Sequence, residues 1–375
     1  MILESISSIE TIKEFCSKNF TDSSPFMDYH FFRLMEKTKC TNFNSGWLPE
    51  HIIIKDKKEI IGFIPNFKKL NSFGEYVFDQ IFENAYHQTN SEYFPKFLSA
   101  TPFTPVTRAK FVYSSKRLDN QKILNLLIKF LKKREISSFH ANFINFETSN
   151  FLEKHDFYKR VGIQYHWKNR SFKDFNDFLN SLKSRKKKSI IKERKSLKER
   201  RINFVRKQGK MIKENDMEEL FNCYLCTINK KWSQAYLNRD FFVKLISTPI
   251  ARKMLIISAY DQKKFLGSSV HFIGKDTLYG RYWGSLEEVP YLHFELCYYQ
   301  AIEFAIEEKL KKIEAGAQGE HKISRGYTPC LTYSNHWFNN DILRKPIKKY
   351  LEKENKRIID AMPFLEKYTP FTEGL

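Results

Sequence analysis

The sequence predicts a mixed α/β protein, with α+β mixed sheets, built as two successive halves. Three observations lead there. Residues 254–283 hold three β-rich runs separated by the short polar turns DQKK and GKD, the pattern of an antiparallel meander. A helical apolar repeat over 292–309 then leads to a short strand at 312–315, so a strand–helix–strand crossover closes the meander. The first half has the same order in outline: helices, paired strands, then helix and strand. The halves show no visible sequence similarity, so the repeat is one of architecture.

A chain of 375 residues suits about two domains. A hydrophobic fraction of 42%, with 35 Phe, supplies a core for each. No apolar run approaches the roughly 20 residues of a membrane span. The opening MILESISSIETIKEF carries acids and no basic stretch before an apolar one, unlike a secretory signal. A cytoplasmic location is the expectation. Six cysteines in so long a chain are not a disulfide framework. Cys223 and Cys226 form a CxxC inside the helical pattern FNCYLCTI, with no second ligand pair at zinc spacing, so they read as core residues and no metal is expected. The net charge of +21 has two readings: a polyanionic partner (nucleic acid, nucleotide phosphate or anionic lipid), or the composition of a chain rich in Lys, Asn, Ile and Phe.

In chain order, a strand and helices occupy 1–40, with Pro25 suited to a first helical turn. Residues 51–55 and 60–67 flank DKKE as a hairpin. NSFGEYVFD at 71–79 is aromatic and glycine-containing, and 83–88 is helical. Three prolines make 93–108 extended and irregular. An amphipathic helix spans 120–133 through Ile123, Leu124, Leu127, Ile128 and Leu131; strands follow at 138–145 and 161–167, with a helix at 150–155 between them. A boundary near Asn169 gives domains 1–169 and 170–375. Beyond it, a long helical pattern with a basic block covers 172–201, overlapping a basic helix of 174–205, and helices follow at 216–231 and 239–246. After the crossover come a strand at 327–334 and a helix at 342–362.

A meander, a helix and a parallel strand make the order of the GNAT acyltransferase fold, and two such halves with basic helices resemble Fem-type aminoacyltransferases. The motifs NSFGEYVFD, EYFPKFL, PFTPV, LYGRYWG, LHFELCYYQAIEFAI and EAGAQGEHKISRGY resemble those of the FemAB-like "peptidoglycan biosynthesis/recognition" family, a GNAT-type N-acetyltransferase family, from Phe26 to Tyr368. The resemblance implies tandem GNAT-like domains with a basic helical arm. It implies transfer of an acyl or aminoacyl group, from acyl-CoA or aminoacyl-tRNA, to an amine of a nucleotide-linked envelope precursor. A CoA-dependent N-acetyltransferase and a non-catalytic precursor-recognition protein are the alternatives. One departure bears on the donor. GNAT enzymes hold pyrophosphate on a glycine-rich turn, whereas GSLEEVPYLHFE carries Glu287 and Glu288, which repel phosphates.

The residues that carry chemistry gather at the carboxyl ends of the crossover strands, where such units bind ligands. His321 or Glu314 is a candidate base, with Arg281 and Lys322 as charge stabilisers. Alternation places Tyr279, Arg281 and Trp283 on one strand face. His293, Gln318 and Arg325 are further candidates, with Glu320 beside His321; the competing reading of GAQGEHK is a loop whose charges pair among themselves. Glu295, Tyr299, Glu303 and Glu307 fall on one helical stripe and read as solvated. In the first half, Glu75 and Asp79 suit amine binding or acid–base work, with Lys96 nearby, or else a structural ion pair. Lys186, Lys187 and Lys188 of the basic helix either bind a polyanion, such as tRNA or an anionic membrane, or are simply solvated.

Overall fold

The computed structural model describes residues 1–20, 24–114, 119–230, 234–316 and 319–372. They divide into two compact units: Met1–Ile163 with Leu331–Asp360, and Gln164–Cys330 with Ala361–Leu375. The return of 331–360 to the first unit differs from division by sequence order. Its cause is pairing: Tyr333–Phe338 lies antiparallel against Ser138–Ile144, and Trp337 enters the core of Leu127, Leu131 and Phe139.

In the first unit, Ile2–Ile6, His51–Asp56, Glu59–Ile64 and Val112–Tyr113 form a four-stranded antiparallel sheet. The expected hairpin is its centre. A second set runs Trp47–Pro49, Phe67–Lys69, Lys96–Ser99, Ser138–Ile144. Lys96–Ser99 and Ser138–Ile144 are parallel, so Asn120–Lys132 is a crossover helix. Asp119 caps it by accepting from the Lys122 N–H, and Ile123, Leu124, Leu127 and Leu131 bury its apolar stripe.

In the second unit the strand order is Ile202–Gln208, Met254–Asp261, Lys264–Ile273, Thr277–Ser285, Lys312–Glu314, then the end of Tyr158–Lys168. Every neighbour is antiparallel except Thr277–Ser285 with Lys312–Glu314. The meander therefore gains a fourth strand, whose residues 202–205 fall within the expected basic helix. The single long helix expected before it is two, Phe175–Asn180 and Ser184–Glu199. Arg201 sits left-handed at φ +57°, which ends the helix, and INFVRKQ starts a strand. Glu214–Lys230 packs across the meander, so closely at Gly284 that an added Cβ would lie 1.9 Å from the Cys223 carbonyl oxygen. Only glycine allows that approach.

Candidate active site

Parallel pairing between the third meander strand and Lys312–Glu314 covers only Thr277–Tyr279. Beyond it the strands part. The longer one continues to Ser285, while the chain leaves the shorter one through Ala315 and Gly316. A cavity of about 60 Å³ occupies the notch, lined by Gly280, Arg281, Trp283, His293, Tyr298 and Ala315 among others. The register slips here: Val270 faces Tyr282 and His271 faces Gly280, so Arg281 is the extra residue of a β-bulge. The bulge overturns simple alternation. Trp283 shares a face with Gly280 and His271, whereas Tyr279 and Tyr282 face the other way, Tyr282 against Tyr224 and Phe242. Glu314 pairs with Tyr279 and so falls on that second face. One of its oxygens takes the Lys312 ammonium at 2.6 Å, and the other is buried with no hydrogen-bond partner among the described residues.

The crossover helix begins at Leu292–Phe294, widens to a π-turn over Glu295–Tyr299 and resumes as Gln300–Glu307. Such turns shift the side chains that follow and recur at functional sites. Here Tyr298 and Tyr299 are both buried. His293 stacks on Trp283 with centroids 4.2 Å apart and lies 5.7 Å from the His321 ring. The Tyr298 hydroxyl is 2.8 Å from His321 Nε2. His321 belongs to a short helical turn, Glu320–Arg325, that opens at Gly319 with φ +117°. An added Cβ on Gly319 would come within 2.6 Å of the imidazole, so glycine there makes room for the ring. Burial, then the nearby Lys322 and Arg325, hold the His321 pKa below 6.5 and keep the imidazole neutral at neutral pH. Burial brings the Lys322 ammonium down to about 8, and its Nζ donates to the Gly316 carbonyl at 3.1 Å, tying the loop.

Five predicted residues, His321, Lys322, Arg281, Trp283 and His293, thus gather at the notch. Arg325 is turned away from it: it donates to both oxygens of buried Glu193 at 3.0 and 3.1 Å and covers the Phe294 ring. Gln318 and the Glu320 side chain lie outside the described residues. Sequence reasoning misses Tyr298. Its only signal is the run LCYYQ, whose two adjacent tyrosines are both buried because of the π-turn.

In the first unit, Glu75, Asp79 and Lys96 do come together, but sealed from solvent. Lys96 Nζ donates to Glu75 at 3.0 Å, to Asp79 and to Ser72 at 3.1 Å, while Lys69 reaches Glu75 at 3.8 Å. Tyr93 donates to Asp79 at 2.6 Å and lies 3.1 Å from His140 Nε2; His140 Nδ1 is 2.6 Å from His336 Nδ1. Burial pushes Glu75 up and brings Lys69 down to about 7. Burial alone raises Asp79, but the adjacent Lys96 holds it below its usual value. This is a buried ion cluster, not an open binding groove.

The basic helix Ser184–Glu199 is docked rather than a free arm, burying Ile190, Glu193 and Leu197. Lys188 is exposed; Lys186 and Lys187 are half-buried and reach Ser324 at 3.1 Å and Asn180 at 2.7 Å. The acidic stripe is not solvated at its start. Arg194 holds buried Glu295 at 2.8 and 3.1 Å and Glu303 at 2.9 Å, and Arg206 takes Glu303 and Glu307. Changing Lys186, Lys187 and Lys188 together to Gln is expected to flatten the salt dependence of polyanion binding with little change in melting temperature. Arg194→Ala, on the same helix, is expected to cost about 2 kcal/mol in urea unfolding. Equal stability losses in the two variants would contradict this division of roles.

Four antiparallel strands, a helix and a parallel strand that splays from its neighbour place the second unit in the GNAT-like class of α/β folds. Residues 6–373 match the FemAB-like family, described as peptidoglycan biosynthesis/recognition, and the chain belongs to that family. Among solved structures it is similar to FemX, at 11% identity and TM-score 0.51, covering 93% of this chain and 100% of that one. A second is the C-terminal domain of a putative lysylphosphatidylglycerol synthetase from Agrobacterium fabrum, at 8% identity and TM-score 0.52, covering 97% and 100%. A third is a conserved protein of unknown function from Bacteroides thetaiotaomicron, at 12% identity and TM-score 0.50, covering 89% and 99%. No curated protein sequence matches the chain. Among the described residues no helix is long and apolar enough to cross a membrane.

Proposed function

We propose that the second unit is an acyl- or aminoacyltransferase centre acting on an amine of an envelope precursor of the peptidoglycan type. The observation that carries this reading is the Tyr298–His321 pair at the mouth of a notch between two diverging parallel strands. A neutral amine attacking an ester or thioester must lose a proton, and the tetrahedral oxyanion needs positive charge. His321, donating its Nε2–H to the Tyr298 oxygen, presents Nδ1 as the base. Arg281, displaced by its bulge, and Lys322 supply the positive field. The C–N bond forms, the C–O or C–S bond of the donor breaks, and the proton held by His321 passes to the departing alkoxide or thiolate.

Family membership supports the acceptor class. The turn after the third meander strand favours an aminoacyl ester over CoA, because it carries Glu287 and Glu288 and little glycine where GNAT enzymes carry a glycine-rich turn; Glu287 and Glu288 pair with Lys264 and Lys230. The test is a transfer assay with a nucleotide-linked muropeptide as acceptor and either aminoacyl-tRNA or acetyl-CoA as donor. Aminoacyl-tRNA is expected to support turnover. His321→Ala should lower kcat by about 10²–10⁴-fold, with an unchanged melting temperature. Tyr298→Phe should shift the acid limb of the pH–rate profile, which falls below pH 6.5 because the His321 pKa is depressed. A His321→Ala variant as active as the parent removes the proposed base.

A further inference from the structure

We propose that the loop of residues 71–81 docks the first unit on an anionic lipid bilayer surface. The loop is sorted in an unusual way. Its carboxylates point inward, Glu75 at 4% and Asp79 at 2% exposure, while Phe73 at 56% and Phe78 at 64% point out. Ile81 and Tyr76 are exposed beside them, and so is Phe43 on the adjoining turn. That turn is tied to the loop: the Leu70 N–H donates to the Gly46 carbonyl at 3.1 Å, and Asn71 Nδ2 to the Ser45 carbonyl at 3.5 Å.

The arrangement is fixed rather than incidental. Lys69 and Lys96 hold the two acids from beneath. The Phe73 carbonyl accepts from Trp47 Nε1 at 2.8 Å and from Lys69 Nζ at 3.3 Å, and Arg160 holds the Phe78 carbonyl. Gly74 and Tyr76 turn the chain left-handed, at φ +76° and +58°, and a left-handed tyrosine is a strained one. Elementary solvation would send the carboxylates to water and the phenyl rings to the core. This loop does the reverse and bears the cost of burying charge.

Several large apolar side chains exposed on one loop and its adjoining turn mark an interaction surface. The chemistry selects the partner. Small ligands are taken into concave sites that bury most of their surface, whereas these rings project. With both of its acids neutralised inside, the loop presents aromatic groups and no carboxylate of its own, on a unit in which Lys and Arg outnumber Asp and Glu. Aromatic side chains seat at the headgroup level of a bilayer, and a positive protein is drawn to anionic lipid. The proposal is independent of the transferase reading, since its test involves no acyl transfer.

The test is co-sedimentation of the full chain with sucrose-loaded vesicles. One set holds equal parts phosphatidylcholine and phosphatidylglycerol; the other is phosphatidylcholine alone. The parent is expected to partition to the anionic set. The double variant Phe73→Ser, Phe78→Ser should bind at least about tenfold more weakly with an unchanged melting temperature. Three results overturn the proposal. The parent fails to favour anionic vesicles. The loop variant binds them as the parent does, including the case where only the Lys186, Lys187, Lys188→Gln variant loses binding. Or the loop variant keeps vesicle binding and instead loses uridine diphosphate binding or self-association in sedimentation.

Discussion

Lys96→Met is expected to destabilise the first unit by about 3–5 kcal/mol, the usual cost of removing one partner from a buried ion pair. Lys96 is fully buried and stands between two buried carboxylates, Glu75 and Asp79. Removing its ammonium leaves Asp79 with the hydroxyls of Tyr93 and Ser72, and leaves Glu75 dependent on Lys69 at 3.8 Å. Neither carboxylate can recover water without opening the loop. Changing Lys96, Glu75 and Asp79 together to Met, Gln and Asn is expected to recover much of the loss, because the uncompensated charge goes with the pair. Urea unfolding at pH 7.5 reads both effects. A loss below about 1 kcal/mol for Lys96→Met would show that the cluster is hydrated or loosely held.

What the sequence disclosed and what it hid divide along physical lines. Patterns of local origin were legible. The meander, the crossover helix and the Asn120–Lys132 helix follow from periods of two and 3.6 residues, and each stands within a few residues of its expected place. Features set by distant partners were not. Strand alternation puts Tyr279, Arg281 and Trp283 of YGRYWG on one face, yet the bulge at Arg281 depends on the register against Lys264–Ile273 and reverses the faces beyond it. Glu295 reads as a solvated residue until Arg194, 101 positions earlier, is seen to hold it. Glu75 and Asp79, four positions apart, suit an open site as text; their inward turn depends on Lys69 and Lys96. GAQGEHK stands out by composition, and His321 does reach the notch. Its partner Tyr298 depends on a π-turn that no periodicity announces.

The first unit is expected to lose stability steeply on acidification because of His140 and His336. Both are fully buried and stand nitrogen to nitrogen at 2.6 Å. The surrounding bonds suit two neutral rings. Tyr93 gives its proton to Asp79; His140 Nε2 lies 3.1 Å from the Tyr93 oxygen and 2.8 Å from Ser138 Oγ, and His336 Nε2 lies 2.9 Å from Ser334 Oγ, so one Nδ1–H between the rings satisfies both. In this chain both imidazoles are neutral. Burial holds both pKa values well below 6.5; Lys96 and Arg160 act in the same direction on each, and Asp79 opposes them weakly at His336. Unfolded, each titrates near 6.5. Below that pH the unfolded chain binds more protons than the folded one, so stability is complete above about pH 6.5 and falls as pH drops, at about 1.4 kcal/mol per pH unit for each histidine. Two of them give about 2.7 kcal/mol per unit, or about 5 kcal/mol between pH 6.5 and 4.5. Glu75, whose pKa burial raises, works against this trend once the pH falls toward its own folded value. Urea unfolding across pH 7.5 to 5.0 measures the slope. The double variant His140→Gln, His336→Gln should be less stable at pH 7.5 and shallower in slope by about two protons. A slope identical to the parent's would mean that the pair is charged or solvated in the folded protein.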